Sequence, residues 1–531
     1  MKLATAGEMA AVDRCASECH GIALTELMDR AGRCTADAAE RLLGPVRGRR
    51  VALFCGRGNN GGDGFVAART LRARGAEVRL ILVGAPEDLR PDARRAWDAA
   101  QAAGVEFALC ANTATLAAAG ALAGDADLVV DALLGTGLTP PARGLTATAI
   151  NLINSLGRPV LAVDIPSGLA ADHGRVIGEA VRATATVTFG YPKPGLLLHP
   201  AARHVGRLWC ADIGFPLGTD SLVAGDLNLV TAKDLASHIA PRDPESHKGT
   251  FGHVLLFAGS RGMAGAAVLA ARGALRAGAG LVTVALPASI APPLFPGLPE
   301  AMLLPLPDEP PLSGGRDAAA TIIEQLSRVS ALALGPGLSR GDGPAGLVRD
   351  LCAAADLPLL VDADALRVLA AAGPHMIFQR RTPAVLTPHP GELSGLIGMS
   401  AAEVQADRIG AARACAGLFN AVVVLKGSRT VVAAPGGPLW INPTGNPAMA
   451  TAGMGDVLTG VISAHLARGM EPLAAALLGV FLHGLAGDLA VADRGPWGIL
   501  ASEVANRIPA AVHSLRSRND APDATLTLVV A

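Results

Sequence analysis

Short apolar runs alternate with Ala-, Arg- and Leu-rich stretches of helical spacing along most of this chain. In the first half, runs at 51–55, 78–83, 128–132, 160–163 and 185–189 predict strands. The stretch 65–74 and the long segment 9–43 predict helices. Runs this short and this apolar suit strands buried on both faces, as in parallel sheets. Strand–helix alternation predicts a doubly wound, Rossmann-like parallel sheet with helices on each face.

The pattern loosens between 216 and 250, where Pro216, Gly218, Gly225 and Pro241-Arg242-Asp243-Pro244 mark a connection. Alternation then restarts at 254–257, 281–285, 331–334, 359–362, 384–386 and 422–425, and a long apolar helix is expected after Gly455. The halves share this style but no sequence repeat. The chain has 531 residues, and single cores stop growing near ~250–300. Two α/β domains are therefore expected, at 1–220 and 229–531.

Composition narrows the function. The net charge is −1 and no basic block occurs, which argues against nucleic acid as a partner. The eight cysteines form no C-x-x-C pair, so they read as small buried hydrophobes in a reducing compartment. No signal-peptide core is visible, and Gly, Pro and charges interrupt every apolar run before membrane-spanning length. A cytoplasmic protein without a membrane partner is expected.

Gly56-Arg57-Gly58-Asn59-Asn60-Gly61 follows a predicted strand and precedes a helix, matching G-x-G-x-x-G. A dinucleotide site of that kind uses an acid at the end of the second strand to hold ribose. Here that strand begins with Glu77 and ends at Val83-Gly84 without one, which weakens a dehydrogenase reading. The run Asn59 to Gly64 instead combines amides, backbone N–H groups and an acid at a helix start, suiting a phosphate-bearing ligand or a cation. Asp131 and Asp164 close two further strands, and ligands in open α/β sheets bind at such ends.

At these residues the chain resembles the NAD(P)H-hydrate epimerase family. The matching pieces are Gly58 to Gly64, Asp131 to Gly137, Asp164-Ile165-Pro166-Ser167-Gly168 and Lys193-Pro194-Gly195. The resemblance, spanning about 1–215, implies that Asn59, Asn60, Gly61, Gly62 and Asp63 cradle the hydrated nucleotide with Gly135, Thr136, Gly137, Leu138, Thr139, Pro140 and Pro141. It implies that Asn60, Asp131 and Ser167 hold a potassium ion (K+), that Asp164 contacts substrate as the catalytic base, and that Lys193 is a second catalytic group. The hydrate carbon bears a hydroxyl and a ring nitrogen, so losing and regaining hydroxide through an iminium-like state inverts it without redox chemistry. A carboxylate stabilises that cation and carries the proton.

In the second half, Ala452-Gly453-Met454-Gly455-Asp456 opens an apolar helix. Free N–H groups at a helix start attract an anion, and a carboxylate beside them is what phosphoryl transfer to a hydroxyl needs. Taken alone, such an acid is equally a helix cap. Lys426-Gly427-Ser428-Arg429-Thr430 follows a strand. Gly335-Pro336-Gly337, Asp362 to Leu366 and Thr387 to Glu392 end others.

This half, from about 229 onward, resembles the ribokinase-like superfamily, and within it the nucleotide-dependent NAD(P)H-hydrate dehydratases. The supporting pieces include Lys248 to Gly252, Gly259-Ser260 with Gly265-Ala266-Ala267, Pro299 to Met302 and Gly445-Asn446-Pro447 through Asp456, with Ala448 where Gly is expected. The resemblance implies Asp456 as catalytic base, also touching the hydrate. It implies hydrate contacts at Ala266, Gly337 and His389, and contacts to ADP or ATP, with ADP preferred, at Lys426, Gly427, Ser428, Arg429, Thr430 and Gly455, with Mg2+ assisting. Phosphorylating the hydrate hydroxyl turns a poor leaving group into a good one, so a kinase fold dehydrates. The expected partners are NADHX or NADPHX and ADP, with AMP and phosphate released, in a homo-oligomer. Two other readings fit parts of the pattern. One is a sugar or vitamin alcohol kinase fused to a ligand-binding domain. The other makes the first half a nucleotide sensor that regulates the second.

Overall fold

The computed structural model describes residues 1–137, 140–294, 297–308, 316–381, 383–518 and 526–530. The chain divides into two units, one of residues 1–225 with the strand at 526–530, and one starting at 226.

The first unit is built on β1 (Arg50–Cys55), β2 (Glu77–Val83), β3 (Glu106–Cys110), β4 (Leu128–Ala132), β5 (Val160–Val163), β6 (Ala185–Phe189) and β7 (Arg207–Ala211). These pair in parallel in the order β7-β6-β5-β4-β1-β2-β3. Period-two geometry divides each strand between two cores. Val51, Leu53 and Cys55 of β1 face the helices Leu24–Leu43, Asn59–Ala73 and Pro91–Ala102. Ala52 and Phe54 face Thr113–Ala123 and Gly144–Ser155. The connections from β1 and β4 leave in opposite directions along the sheet, which opens a crevice at their carboxyl ends.

The second unit contains β8 (Leu227–Leu229), β9 (His253–Phe257), β10 (Leu281–Pro287), β11 (Met302–Leu306), β12 (Ala331–Leu334), β13 (Leu359–Val361), β14 (Val385–Leu386), β15 (Val422–Leu425), β16 (Val431–Ala433) and β17 (Leu439–Ile441). The order is β11-β10-β9-β12-β13-β14-β15-β16-β17-β8, parallel from β11 to β15 and antiparallel around β16. Val254 and Leu256 face one core with the helices Ala264–Arg276, Met454–Ala467 and Pro472–Arg494. Leu255 and Phe257 face the other. The order reverses between β9 and β12, giving a second crevice.

Several expectations need correction. The edge strands β3 and β11 and the penultimate β7 escape a search for apolar runs because charged or proline residues punctuate them, Pro305 in β11 being tolerated at an edge, and β16 and β17 escape it at three residues each. The helix Pro472–Arg494 does reach membrane-spanning length and composition, but 78% of its apolar window is buried inside the second unit. The expected domain 229–531 gains β8 at its start and loses β18 (Leu526–Val530), which pairs antiparallel with β7 in the first sheet.

Gly460 shows how tightly the second unit is packed. A Cβ there would lie 1.8 Å from the Ala270 carbonyl oxygen and 2.7 Å from Ala274 N, both backbone atoms of the facing helix. Gly460→Ala is expected to destabilise the unit by about 1–3 kcal/mol. A denaturant melt reads this as a lower midpoint, and an unchanged midpoint would contradict the packing.

Candidate active sites

A cleft of about 700 Å3 opens at the first crevice, lined by residues that end β1, β4, β5 and β6. Asn59 and Asn60 start the helix that follows β1. Its tight entry depends on Gly61, where a Cβ would sit 2.0 Å from the Gly56 carbonyl oxygen. The Gly-rich run is therefore needed for the turn itself, whatever it binds.

Asp131 is fully buried at the end of β4. Its carboxylate accepts from Ser167 Oγ (2.7 Å), Ser167 N (2.8 Å) and Leu133 N (3.2 Å). Burial nevertheless pushes its pKa up to about 6, outweighing those bonds. Asn60 donates Nδ2 to the Leu134 carbonyl (3.0 Å), and Leu134 N donates to Ser167 Oγ (2.9 Å). Asn60, Asp131 and Ser167 thus belong to one network.

Asp164 follows β5 in a left-handed conformation, φ 64°. Its Oδ1 lies 2.6 Å from Lys193 Nζ, and Lys193 is only 2% exposed. Thr188 Oγ1 accepts from Lys193 (3.0 Å) and donates to Asp164 (3.1 Å). Asp13, Asp63, Asp88 and Asp92 line the same cleft, and the first two are perturbed. Asp63 is held well above the usual range by burial, with Asp164 and Asp13 adding repulsion. Asp13, on the helix Ala6–Glu18, is pushed up to about 6, chiefly by burial and against the pull of Lys193. Three carboxyl groups therefore share one ammonium.

The second site has a related layout. Asp362 ends β13, is 1% exposed, and takes Lys426 Nζ at 2.7 Å and Thr459 Oγ1 at 2.7 Å. Glu392 Oε2 lies 3.6 Å from the same ammonium. Burial alone would depress Lys426, but Asp362 and Glu392 hold it above its ordinary value. Asp456 stands in the first turn of the helix Met454–Ala467, whose N-cap Gly453 (φ 88°) offers no side-chain cap. Burial pushes Asp456 up to about 6, with Asp362 adding to the rise and Lys426 opposing it. A Cβ at Gly455 would lie 3.5 Å from Lys426 Nζ, so glycine keeps the space above the ammonium open. A cavity of about 360 Å3 lies at the ends of β9 and β12, lined by Gly259, Ser260, Ser289, Asp308, Leu338 and Ser339.

A family model described as YjeF-related protein N-terminus matches residues 24–195, and one described as NAD(P)H-hydrate dehydratase matches 254–510. The bifunctional NAD(P)H-hydrate repair enzyme of Moorella thermoacetica is 45% identical over 516 residues, 97% of each chain. The chain belongs to the bifunctional NAD(P)H-hydrate repair enzyme family. The Escherichia coli enzyme of that name is 37% identical, covering 93% of this chain and 90% of its own. Among solved structures, the ADP/ATP-dependent NAD(P)H-hydrate dehydratase of Bacillus subtilis, co-crystallised with ATP and Mg2+, is 34% identical. It covers 54% of this chain and 98% of that one, with a TM-score of 0.48. Family membership makes the chain an enzyme of nicotinamide-hydrate repair and disfavours the kinase-with-sensor alternative.

Within this repair enzyme fold, the expected residues of the first half meet in one cleft: Asn59, Asn60, Asp63, Gly135 to Gly137, Pro140, Asp164 and Lys193 all line it. Leu138 and Thr139 lie outside the described residues. In the second half Lys426 and Asp456 meet around Asp362. A Cβ at Gly337 would lie 2.8 Å from Ala266 Cβ. His389 is differently engaged: its Nδ1 accepts from Gly391 N (2.9 Å) and Glu392 N (3.2 Å), capping the helix Pro390–Ile397, while Nε2 lies 3.3 Å from Glu392. Arg429 reaches back to the Pro443 carbonyl, and Thr430 Oγ1 to the Gly427 carbonyl. Sequence reasoning missed Asp13, Thr188 and Asp488. Asp488 holds the Gly445-Asn446 loop through Gly445 N (3.0 Å) and Asn446 Nδ2 (2.9 Å).

The raised Asp456 carries a stability consequence. Its folded pKa, about 6, lies above the ordinary 3.8, so the folded state binds the proton more tightly. The ionised form therefore costs stability above about pH 6, a cost that fades as pH falls through that value. Asp456→Asn is expected to raise the melting temperature of the second unit by a few degrees at pH 8 and by less at pH 5. A gain that is equal at both pH values would show that ionisation is not its source.

Proposed function

We propose that the chain repairs hydrated NADH and NADPH in two steps. The first unit interconverts the R and S hydrates. The second dehydrates the S hydrate with ADP, releasing AMP and phosphate. One observation carries this reading: each unit sets reactive groups at the ends of its parallel strands. Within the first cleft Asp164, Asp13 and Asp63 stand around Lys193, which favours a developing cation. In the second site Asp456 stands in the first turn of a helix beside Lys426, where backbone N–H groups favour a phosphate and Asp362 and Glu392 hold the ammonium.

In the first cleft, Asn59 to Asp63 and Gly135 to Pro141 bind the nucleotide. Asp164, paired with Lys193, faces the hydrate carbon as base and stabilises the iminium-like state. Asn60, Asp131 and Ser167 fit a potassium ion through their oxygens, and among the described residues the buried Asp131 carboxylate has no cationic side chain beside it. Such an ion would neutralise Asp131 and firm the loop after β4.

In the second site, Asp456 takes the proton of the hydrate hydroxyl as that oxygen attacks the terminal phosphate of ADP. Breaking the carbon–oxygen bond then expels phosphate, and loss of a ring proton restores the nicotinamide. Ala266, Gly337 and His389 border the hydrate, and Lys426 to Thr430 with Gly455 hold the ADP phosphates. Mg2+ bound with the nucleotide would neutralise phosphate charge. Asp362 keeps Lys426 aimed, so it is a positioning residue.

Mixed hydrate epimers supplied with ADP, ATP or neither test the scheme. Full NADH recovery is expected with ADP, and recovery halting near half would sink the epimerase step. Asp164→Ala is expected to stop at that half-way point. Because Asp456 must be ionised, the dehydration rate is expected to rise as pH increases through about 6. A flat profile would remove Asp456 from that role.

A further inference from the structure

The helix Ala6–Glu18 is fastened across the end of β6. Thr5 caps it, Ala4 N donates to the Pro192 carbonyl (3.1 Å), and Ala6 N donates to Asp172 Oδ1 (2.6 Å). Pro192 immediately precedes Lys193. Met9, Ala10 and Asp13, spaced to share one helix face, line the cleft. The fastening thus brings an acid from a separate element into the cleft that holds the Asp164–Lys193 pair. Asp164 and Asp131 are both tied by hydrogen bonds. The Asp13 carboxylate accepts none from the described residues, which leaves it available to a ligand.

We infer that Asp13 is a second catalytic group of the first cleft, a proton donor that works on the hydrate opposite Asp164. This rests on the epimerase reading above. Inverting a carbon requires hydroxide to leave from one face and water to enter at the other, so two proton-handling groups serve better than one. The Asp13 carboxyl gives its proton to the hydrate hydroxyl. The carbon–oxygen bond breaks, water leaves, and the ring-nitrogen lone pair forms the iminium. A second water adds to the other face and loses a proton to the Asp164 carboxylate. Exchange with solvent returns each group to its starting form, and each inversion exchanges one oxygen with water. The two acids are set apart by their surroundings. Asp164 has its own ammonium, whereas burial raises Asp13 to about 6, with Asp164 reinforcing and Lys193 and Arg14 opposing; Asp63 shares the same cleft.

The test uses the full chain with the purified R hydrate in 18O-labelled water, between pH 5 and 8. The wild type is expected to show kcat/KM for R-to-S exchange falling as pH rises through about 6, with one 18O gained per inversion. Asp13→Asn is expected to lose about 100-fold or more and to lose that falling limb, while dehydration of the S hydrate with ADP in the same sample is unchanged. Exchange within threefold of wild type, or a falling limb that persists, would overturn the role. If Asp13→Asn melts early, Asp13→Glu decides. Partial recovery of rate with a displaced limb supports the role, and a limb at its original position overturns it. A wild type that exchanges no epimers would instead remove the epimerase reading itself.

Discussion

Both units rest on the same interaction, a lysine with little exposure held against a carboxylate at the end of a parallel strand. Lys193 meets Asp164 at 2.6 Å, and Lys426 meets Asp362 at 2.7 Å. Removing one partner of such a pair costs about 3–5 kcal/mol, because it strands an uncompensated charge. The backbone around each pair adopts unusual geometry. Asp164, Ala363, Ser339 and Arg429 all have positive φ without being glycine. Such conformations persist only where the surroundings hold them, and they gather at sites with work to do.

The two sites diverge in what surrounds that common pair. In the first unit Asp13 and Asp63 add negative charge, so the cleft must take up protons or a cation. In the second, Glu392 and Asp456 stand near the lysine as well, and the helix start at Met454 adds positive backbone dipole beside it. One parallel-sheet architecture thereby hosts two different sites, set by a few side chains at strand ends.

Most interior strands were legible because they are short apolar runs of four residues or more, unlike the three-residue β16 and β17, and strand-end residues such as Asp131, Asp164 and Lys426 followed from them. The losses have physical causes. Edge strands carry charges and proline. Asp13 sits in a helix whose sequence looks like any half-exposed helix, and only the fold turns it into the cleft. Asp362 was visible as a strand-end acid, but its pairing with Lys426 joins residues far apart in sequence. The capping role of His389 depends on the exact start of the helix at Pro390, which pattern reading does not resolve. The pairing of β18 with β7 was equally invisible, because nothing local to either strand names its partner.

That last pairing bears on how the protein is made. The first unit is discontinuous: β7 leaves the ribosome early, while the strand that covers its edge is synthesised only after the whole second unit. Until then the nascent chain carries an open sheet edge bearing Leu208, Trp209 and Cys210, a template for pairing with neighbouring polypeptides. Completion of the first unit therefore waits for synthesis of the second, and its nascent form is exposed to wrong pairing in a way that the contiguous second unit is not.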